Sequence, residues 1–204
     1  MRYYIADNHF FHSNLNIRMD NRGFPSVEEM NEYMIEKWNK KVKNRNDEVI
    51  VIGDFSIARA RETEEVLKRL NGKKILIIGN HDKYLKDKTF DRSLFVRIEP
   101  YLEMNDNKRK VNICHYPTFC YNGQNRVFDD GSPSTYMLYG HVHNTLDEYL
   151  VREFVRITKE HKREIRGIER NIPCEMINCF CMKSDYTPLT LDEWIELERR
   201  NHER

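Results

Sequence analysis

The sequence predicts an α/β domain built in layers, and three observations predict it. Short runs rich in Ile and Val recur along the chain, each stopped by Gly or a polar residue. Between them lie segments whose apolar residues repeat at the spacing of an amphipathic helix. Two Ser/Thr-x-x-Glu capping boxes mark helix starts. Strands alternating with helices call for helices packed on sheet faces.

The elements follow in order. Tyr3-Tyr4-Ile5-Ala6 is the first expected strand, and it runs into Asp7-Asn8-His9. Ser26-Val27-Glu28-Glu29 is a capping box with Ser26 as N-cap, opening a helix that carries Met30, Met34, Trp38 and Val42 on one face. Val49-Ile50-Val51-Ile52 is a strand ending on Gly53-Asp54. A second helix spans Glu62 to Leu70, with Val66, Leu67 and Leu70 inward and Asn71-Gly72 as its stop. Ile75-Leu76-Ile77-Ile78 leads into Gly79-Asn80-His81-Asp82, Val111-Asn112-Ile113-Cys114 into His115, and Met137-Leu138-Tyr139 into Gly140-His141-Val142-His143. A helix is expected from Leu146, with Leu150, Phe154, Ile157, Ile165 and Ile168 in phase, as a helical insertion over about 146–170. Met176-Ile177 with Phe180 reads as a core strand, and the box Thr190-Leu191-Asp192-Glu193 opens a short terminal helix around Trp194. No repeat or Gly/Ser linker divides the chain, so residues 1–204 are expected to form a single domain.

Composition excludes several classes. The 204 residues are 39% hydrophobic and 33% charged, enough apolar material for one sizeable core and unlike a disordered chain. Lys and Arg total 34 against 33 Asp and Glu, so a net charge of +1 gives no global pull toward nucleic acid or an anionic membrane. The stretch from Met1 to Asp7 lacks the apolar core of a secretory signal, and no later run approaches the roughly 18 apolar residues of a membrane span. Five cysteines, an odd number, argue against a disulfide framework and for a cytoplasmic setting. Cys174, Cys179 and Cys181 lack a Cys-x-x-Cys pair and read as core, not as a zinc site.

The chemistry gathers at the strand ends. Open α/β sheets hold ligands beyond the carboxyl ends of their strands, and every polar cluster above follows an apolar run. Neighbouring strands would therefore bring Asp7, His9, Asp54, Asn80, His81, Asp82, His115, His141 and His143 to one edge. Imidazole and carboxylate without thiolate suit Mn, Fe, Co, Ni or Zn. Seven candidate ligands exceed the four or so of one tetrahedral ion and suit two divalent ions, bridged by one carboxylate. Asp54, on the tight Gly53 turn, is the expected bridge.

Taken together, these blocks resemble the calcineurin-like metallophosphoesterases. That family's pattern is Asp-x-His, Gly-Asp, Gly-Asn-His-[Asp/Glu], a lone His, then Gly-His-x-His, and all five blocks stand here in order from residue 7 to residue 143. Asp7-Asn8-His9-Phe10-Phe11-His12, the helix ending in Trp38-Asn39, and Gly53-Asp54-Phe55-Ser56 are similar to its small bacterial and phage members. The resemblance implies a four-layer α/β/β/α sandwich with a dinuclear site at the carboxyl ends of the strands. It implies one ion on Asp7, His9, Asp54 and His143 and another on Asp54, Asn80, His115 and His141, with Mn favoured. The implied activity is metal-dependent phosphoester hydrolysis, a phosphodiesterase more than a protein phosphatase, through a metal-bound hydroxide that attacks phosphorus. His81, not needed as a ligand, is expected to protonate the leaving oxygen or stabilise the transition state, with Asp82 orienting its ring.

His12, Arg18 and Arg22 are expected to meet the substrate phosphate, the two arginines as bidentate clamps. The segment Arg152–Arg170 holds seven Arg or Lys against four Asp or Glu. A basic helix there would guide RNA or DNA, although a solvated charged face is the commoner outcome, so nucleic acid is not the favoured partner. Two alternatives stay open beside the phosphodiesterase: a nuclease, and a non-catalytic scaffold that uses the metals for stability.

Overall fold

The computed structural model describes residues 1–165 and 167–202. Along them run β1 (Arg2–Ile5), α1 (Val27–Lys41), β2 (Glu48–Ile52), α2 (Ala60–Arg69), β3 (Lys73–Ile77), β4 (Phe95–Glu99), β5 (Tyr101–Asp106), β6 (Arg109–Cys114) and β7 (Thr135–Tyr139). Then come α3 (Leu146–Glu160), β8 (Lys162–Ile165), β9 (Ile168–Asn171), β10 (Glu175–Asn178) and α4 (Leu191–His202). The starts of α1 and α4 follow from the capping chemistry. The Ser26 hydroxyl accepts from the Glu29 amide at 3.1 Å, and at α4 the Thr190 hydroxyl accepts from the Glu193 amide while the Glu193 carboxylate accepts from the Thr190 amide.

One sheet has the order β1-β2-β3-β4, all parallel. Its register pairs Ile5 with Val51 and Ile52 with Ile77, so the chain leaves β1, β2 and β3 at one edge. The second sheet has the order β10-β7-β6-β5, parallel except for β5. Past β1 the backbone crosses to this second sheet: the Ala6 amide donates to the Cys179 carbonyl at 2.8 Å, and the Cys181 amide to the Ala6 carbonyl at 3.0 Å. The carboxyl ends of both sheets therefore meet. Alternation along the strands decides the rest. Tyr3, Ile5, Val49 and Val51 pack with Met30, Met34 and Trp38 of α1 and Val66 and Leu67 of α2. Tyr4, Ile50, Ile52, Ile75 and Ile77 point the other way, onto Val111, Ile113 and Leu138 of the second sheet. Met137, Tyr139 and Met176 form a further core with Val151 of α3.

The segment after His143 departs from expectation. The helix ends at Glu160, and β8 and β9 form an antiparallel hairpin where helix was expected to continue; Arg166 lies outside the described residues. The face of α3 differs too. Leu146, Leu150 and Ile157 are exposed, whereas Glu148 and Val151 are buried; of the expected stripe within this helix, Phe154 does pack against the core. Glu148 explains the rotation. Its carboxylate accepts from the Tyr139 hydroxyl at 2.8 Å and the Asn178 amide at 2.9 Å, and it also pairs with Arg152 and Lys183. A buried carboxylate with four partners fixes the helix more firmly than an apolar stripe, because breaking it leaves a charge unpaired. Among the described residues, no helix is long and apolar enough to cross a membrane.

Candidate metal centre

Residues at the ends of β1, β2, β3, β6 and β7 converge. Asp7, His9 and His143 each bring a ligand atom within 4.8 Å of one another, and Asp54, His115 and His141 do the same. Asp54 stands between the two groups. Its Oδ1 accepts from the His81 amide at 2.7 Å, while its Oδ2 lies 3.5 Å from His9 Nε2 and 3.4 Å from His115 Nε2. Asn80 Oδ1 lies 3.1 Å from His115 Nε2, and His9 Nε2 lies 3.1 Å from His143 Nε2. All seven expected ligands are thus brought together.

The backbone is bent to achieve this. Asp7, His9, Asp54, His141 and His143 all have φ between 48° and 70°, the left-handed region that non-glycine residues seldom occupy. Such strain persists only where surrounding contacts over-determine it, and here they do. The Asp7 carboxylate accepts from the His141 amide, both oxygens at 3.0 Å, and the Asp82 carboxylate accepts from the amides of Asp54, Phe55 and Gly79. Close approach also demands glycine. A Cβ on Gly79 would lie 2.2 Å from Asp54 Oδ1.

The electrostatics fit a cation. Burial pushes the Asp7 carboxyl up to about 6 and the His9 imidazole down to about 2. Against opposing burial, hydrogen bonding and charge from His115 hold Asp54 at about 2, and Asp54 with Asp7 lifts His115 to about 9. His115 Nδ1 sits 3.0 Å from the Ile52 carbonyl, an acceptor only, so Nδ1 carries a hydrogen. Its Nε2 then faces two further acceptors, Asn80 Oδ1 and Asp54 Oδ2, and only a proton or a metal ion between them removes the repulsion. Among the described residues, the buried Nδ1 of His9 has no hydrogen-bond partner. The donor set of imidazoles, carboxylates and one amide suits a first-row divalent metal.

The sequence profile of the family described as Calcineurin-like phosphoesterase matches residues 3–171. The chain belongs to the calcineurin-like phosphoesterases. Membership implies metal-dependent hydrolysis of a phosphoester. This phosphoesterase is 31% identical over 198 residues to an uncharacterized protein of Methanocaldococcus jannaschii, covering 96% of this chain and 89% of that protein. It also shares its fold with a protein of unknown function from Aquifex aeolicus whose crystal structure is known. That match has a TM-score of 0.66 and 22% identity, over 97% of this chain and 98% of that one.

The remaining expected residues divide. His9, His12, Arg18, His81, His141 and His143 line a cavity of about 430 Å³. The His81 ring stands 5.3 Å from that of His9, and the His12 ring 5.5 Å from it. Arg18 is exposed at its rim. Arg22 does not face the cavity. Its side chain is fully buried, donating to the carbonyls of Asn8 at 2.7 Å and Asp7 at 3.0 Å and pairing with Asp20. A guanidinium with those bonds is a brace for the β1 loop, not a phosphate clamp. Asp82 does not touch the His81 ring; its oxygens are spent on three backbone amides. Sequence reasoning missed Asp20, whose Oδ1 lies 2.7 Å from His143 Nδ1. The only hint was its pairing distance from Arg22, two residues on.

Proposed function

We propose that the protein hydrolyses phosphodiesters at a two-ion centre, one ion held by Asp7, His9, Asp54 and His143 and the other by Asp54, Asn80, His115 and His141. The observation that carries this is the placing of Asp54 Oδ2 between His9 Nε2 at 3.5 Å and His115 Nε2 at 3.4 Å, with Oδ1 tied to a backbone amide. Three stacked cores, helix against sheet, sheet against sheet and sheet against helix, support a four-layer α/β/β/α sandwich around it. Mn is the favoured metal among first-row ions that accept this donor set. Five cysteines, all free, support a reducing, cytoplasmic setting.

Divalent ions, when bound there, would supply Lewis acidity, lowering the pKa of water from 15.7 toward about 7 and withdrawing charge from phosphoryl oxygens. The chain does the rest. Asp54 Oδ1 fixes the His81 backbone, and the His81 ring, lining the cavity, donates its proton to the leaving oxygen. Arg18 and His12 hold the phosphoryl group from the rim. Met19, largely exposed on the same wall, offers apolar surface to the organic group of the second ester. With Mn added, bis-p-nitrophenyl phosphate should be hydrolysed faster than the p-nitrophenyl monoester. Preference for the monoester overturns the diesterase assignment, and inactivity with every divalent metal overturns the enzyme and favours the scaffold.

A polynucleotide substrate is the second reading. Arg163 and Arg170 stand opposite one another across the β8–β9 hairpin, a like-charge pair that destabilises a strand ladder unless a polyanion neutralises it. Activity on polynucleotide that collapses with added salt, while diester hydrolysis does not, would select this reading.

A further inference from the structure

The His143 ring is held by Phe180 and Asp20, two residues outside the expected ligand set. The His143 ring stacks on Phe180 at 4.6 Å between centroids and 24° between planes, which fixes the plane of the imidazole. Rotation within that plane is fixed by the 2.7 Å contact from Nδ1 to Asp20 Oδ1. The other oxygen of Asp20 accepts from Arg22, Nε at 3.1 Å and Nη2 at 3.0 Å. Arg22 then reaches back to the Asp7 and Asn8 carbonyls, beside two of the ligands. Neither Asp20 nor Arg22 exposes more than 3% of its side chain.

We propose that Asp20 is a positioning residue that holds the proton of neutral His143 on Nδ1 and so aims the Nε2 lone pair at the space between Asp7 and His9. The carboxylate is acceptor-only, so the ring nitrogen it faces must be the donor. The lone pair is thereby left on Nε2, which lies 3.1 Å from His9 Nε2 and 3.8 Å from Asp7 Oδ1. Arg22 makes the choice one-sided. It occupies Oδ2 and braces the β1 loop, so carboxylate, imidazole and loop move as one unit. An outer carboxylate of this kind both fixes the tautomer and raises the basicity of the ligand.

The inference rests on the two-ion reading, but its first test needs no metal. In metal-free protein labelled with nitrogen-15, at mildly alkaline pH, two-bond proton–nitrogen correlations report which ring nitrogen bears hydrogen, and His143→Gln identifies the signals. Nδ1–H is expected; Nε2–H in the wild-type protein overturns the proposal. Asp20→Asn supplies the second test. An amide has one acceptor oxygen for two donors, and the buried Arg22 cation takes it, which turns an N–H onto His143 Nδ1. The tautomer should then reverse, and one of two Mn ions should bind about 10- to 100-fold more weakly, with the second unchanged. Unaltered affinity for both ions in Asp20→Asn overturns the proposal. If that variant does not fold, the wild-type tautomer decides. Wild-type protein that takes up no ion at all sinks the phosphoesterase reading instead, and the tautomer measurement still decides Asp20.

Discussion

Metal uptake should compete with a proton on His115. In the metal-free protein its imidazole, with no exposed side-chain surface, is lifted to about 9 by Asp54 and Asp7 against the opposing effect of burial. The proton donated from Nε2 toward Asp54 and Asn80 stands where a cation would bind. Displacing it at neutral pH costs roughly 3 kcal/mol, at about 1.4 kcal/mol per pH unit below about 9. Apparent affinity should therefore rise about tenfold per pH unit on going from about 6 toward 9. Below about 6 the raised Asp7 carboxyl also takes a proton, and the dependence should steepen toward about two protons. The stability of the metal-free fold runs the opposite way to metal affinity. A raised imidazole pKa stabilises the metal-free fold below its unfolded value near 6.5, and that contribution is lost as pH rises through about 9. Calorimetric titration with Mn in buffers of different protonation enthalpy counts the protons released. Uptake with no proton release and constant affinity from pH about 6 to 8 would refute this account of the site.

Three further outcomes are expected. His81→Ala should retain two ions by metal analysis yet lose about 10²- to 10⁴-fold in turnover, and undiminished turnover would remove His81 from the mechanism. Gly79→Ala places a methyl 2.2 Å from Asp54 Oδ1 and 2.3 Å from the Asp54 amide nitrogen. The overpacking should lower stability by about 1–3 kcal/mol in denaturant melts and weaken metal uptake with it. Arg22→Met leaves the buried Asp20 carboxylate without its arginine cation, and a loss of about 3–5 kcal/mol is expected. A near-neutral effect would mean that Arg22 does not brace the loop.

Much of the fold was legible because its signals are local. Ile and Val runs stopped by Gly became β2 and β3, and the boxes at Ser26 and Thr190 became α1 and α4. Short strands ending in polar blocks predicted a shared edge, and Asp7, His9, Asp54, Asn80, His115, His141 and His143 meet there. What local pattern does not carry is long-range electrostatics. The stripe Leu146, Leu150, Phe154, Ile157 has helical phase, but Glu148 finds Tyr139, Asn178, Arg152 and Lys183 and rotates the helix so that, of the four, only Phe154 packs against the core. Strands β4 and β5, with only part of their side chains buried, lack the continuous apolar run that marked the others. The left-handed φ angles of five ligands carry no residue signal either, since Asp and His disclose the conformation only through the contacts that impose it.

The four buried aspartates of the site show why residue type cannot assign a role there. Asp7, Asp20, Asp54 and Asp82 each expose at most 3% of the side chain or 4% of the residue. Their oxygens separate them. Asp82 accepts from three backbone amides, which closes the loops after β2 and β3 on one another. Asp20 meets one arginine and one imidazole, which fixes a tautomer. Asp54 commits one oxygen to an amide and leaves the other facing two imidazoles. Asp7 is raised to about 6 because its single amide donor does not offset burial. Only the last two stand in groups of ligand atoms with His9, His115, His141 and His143, and a divalent ion is the partner that would complete them. Removing Asp82 should therefore act on loop closure and both ions together, whereas removing Asp20 should act on one.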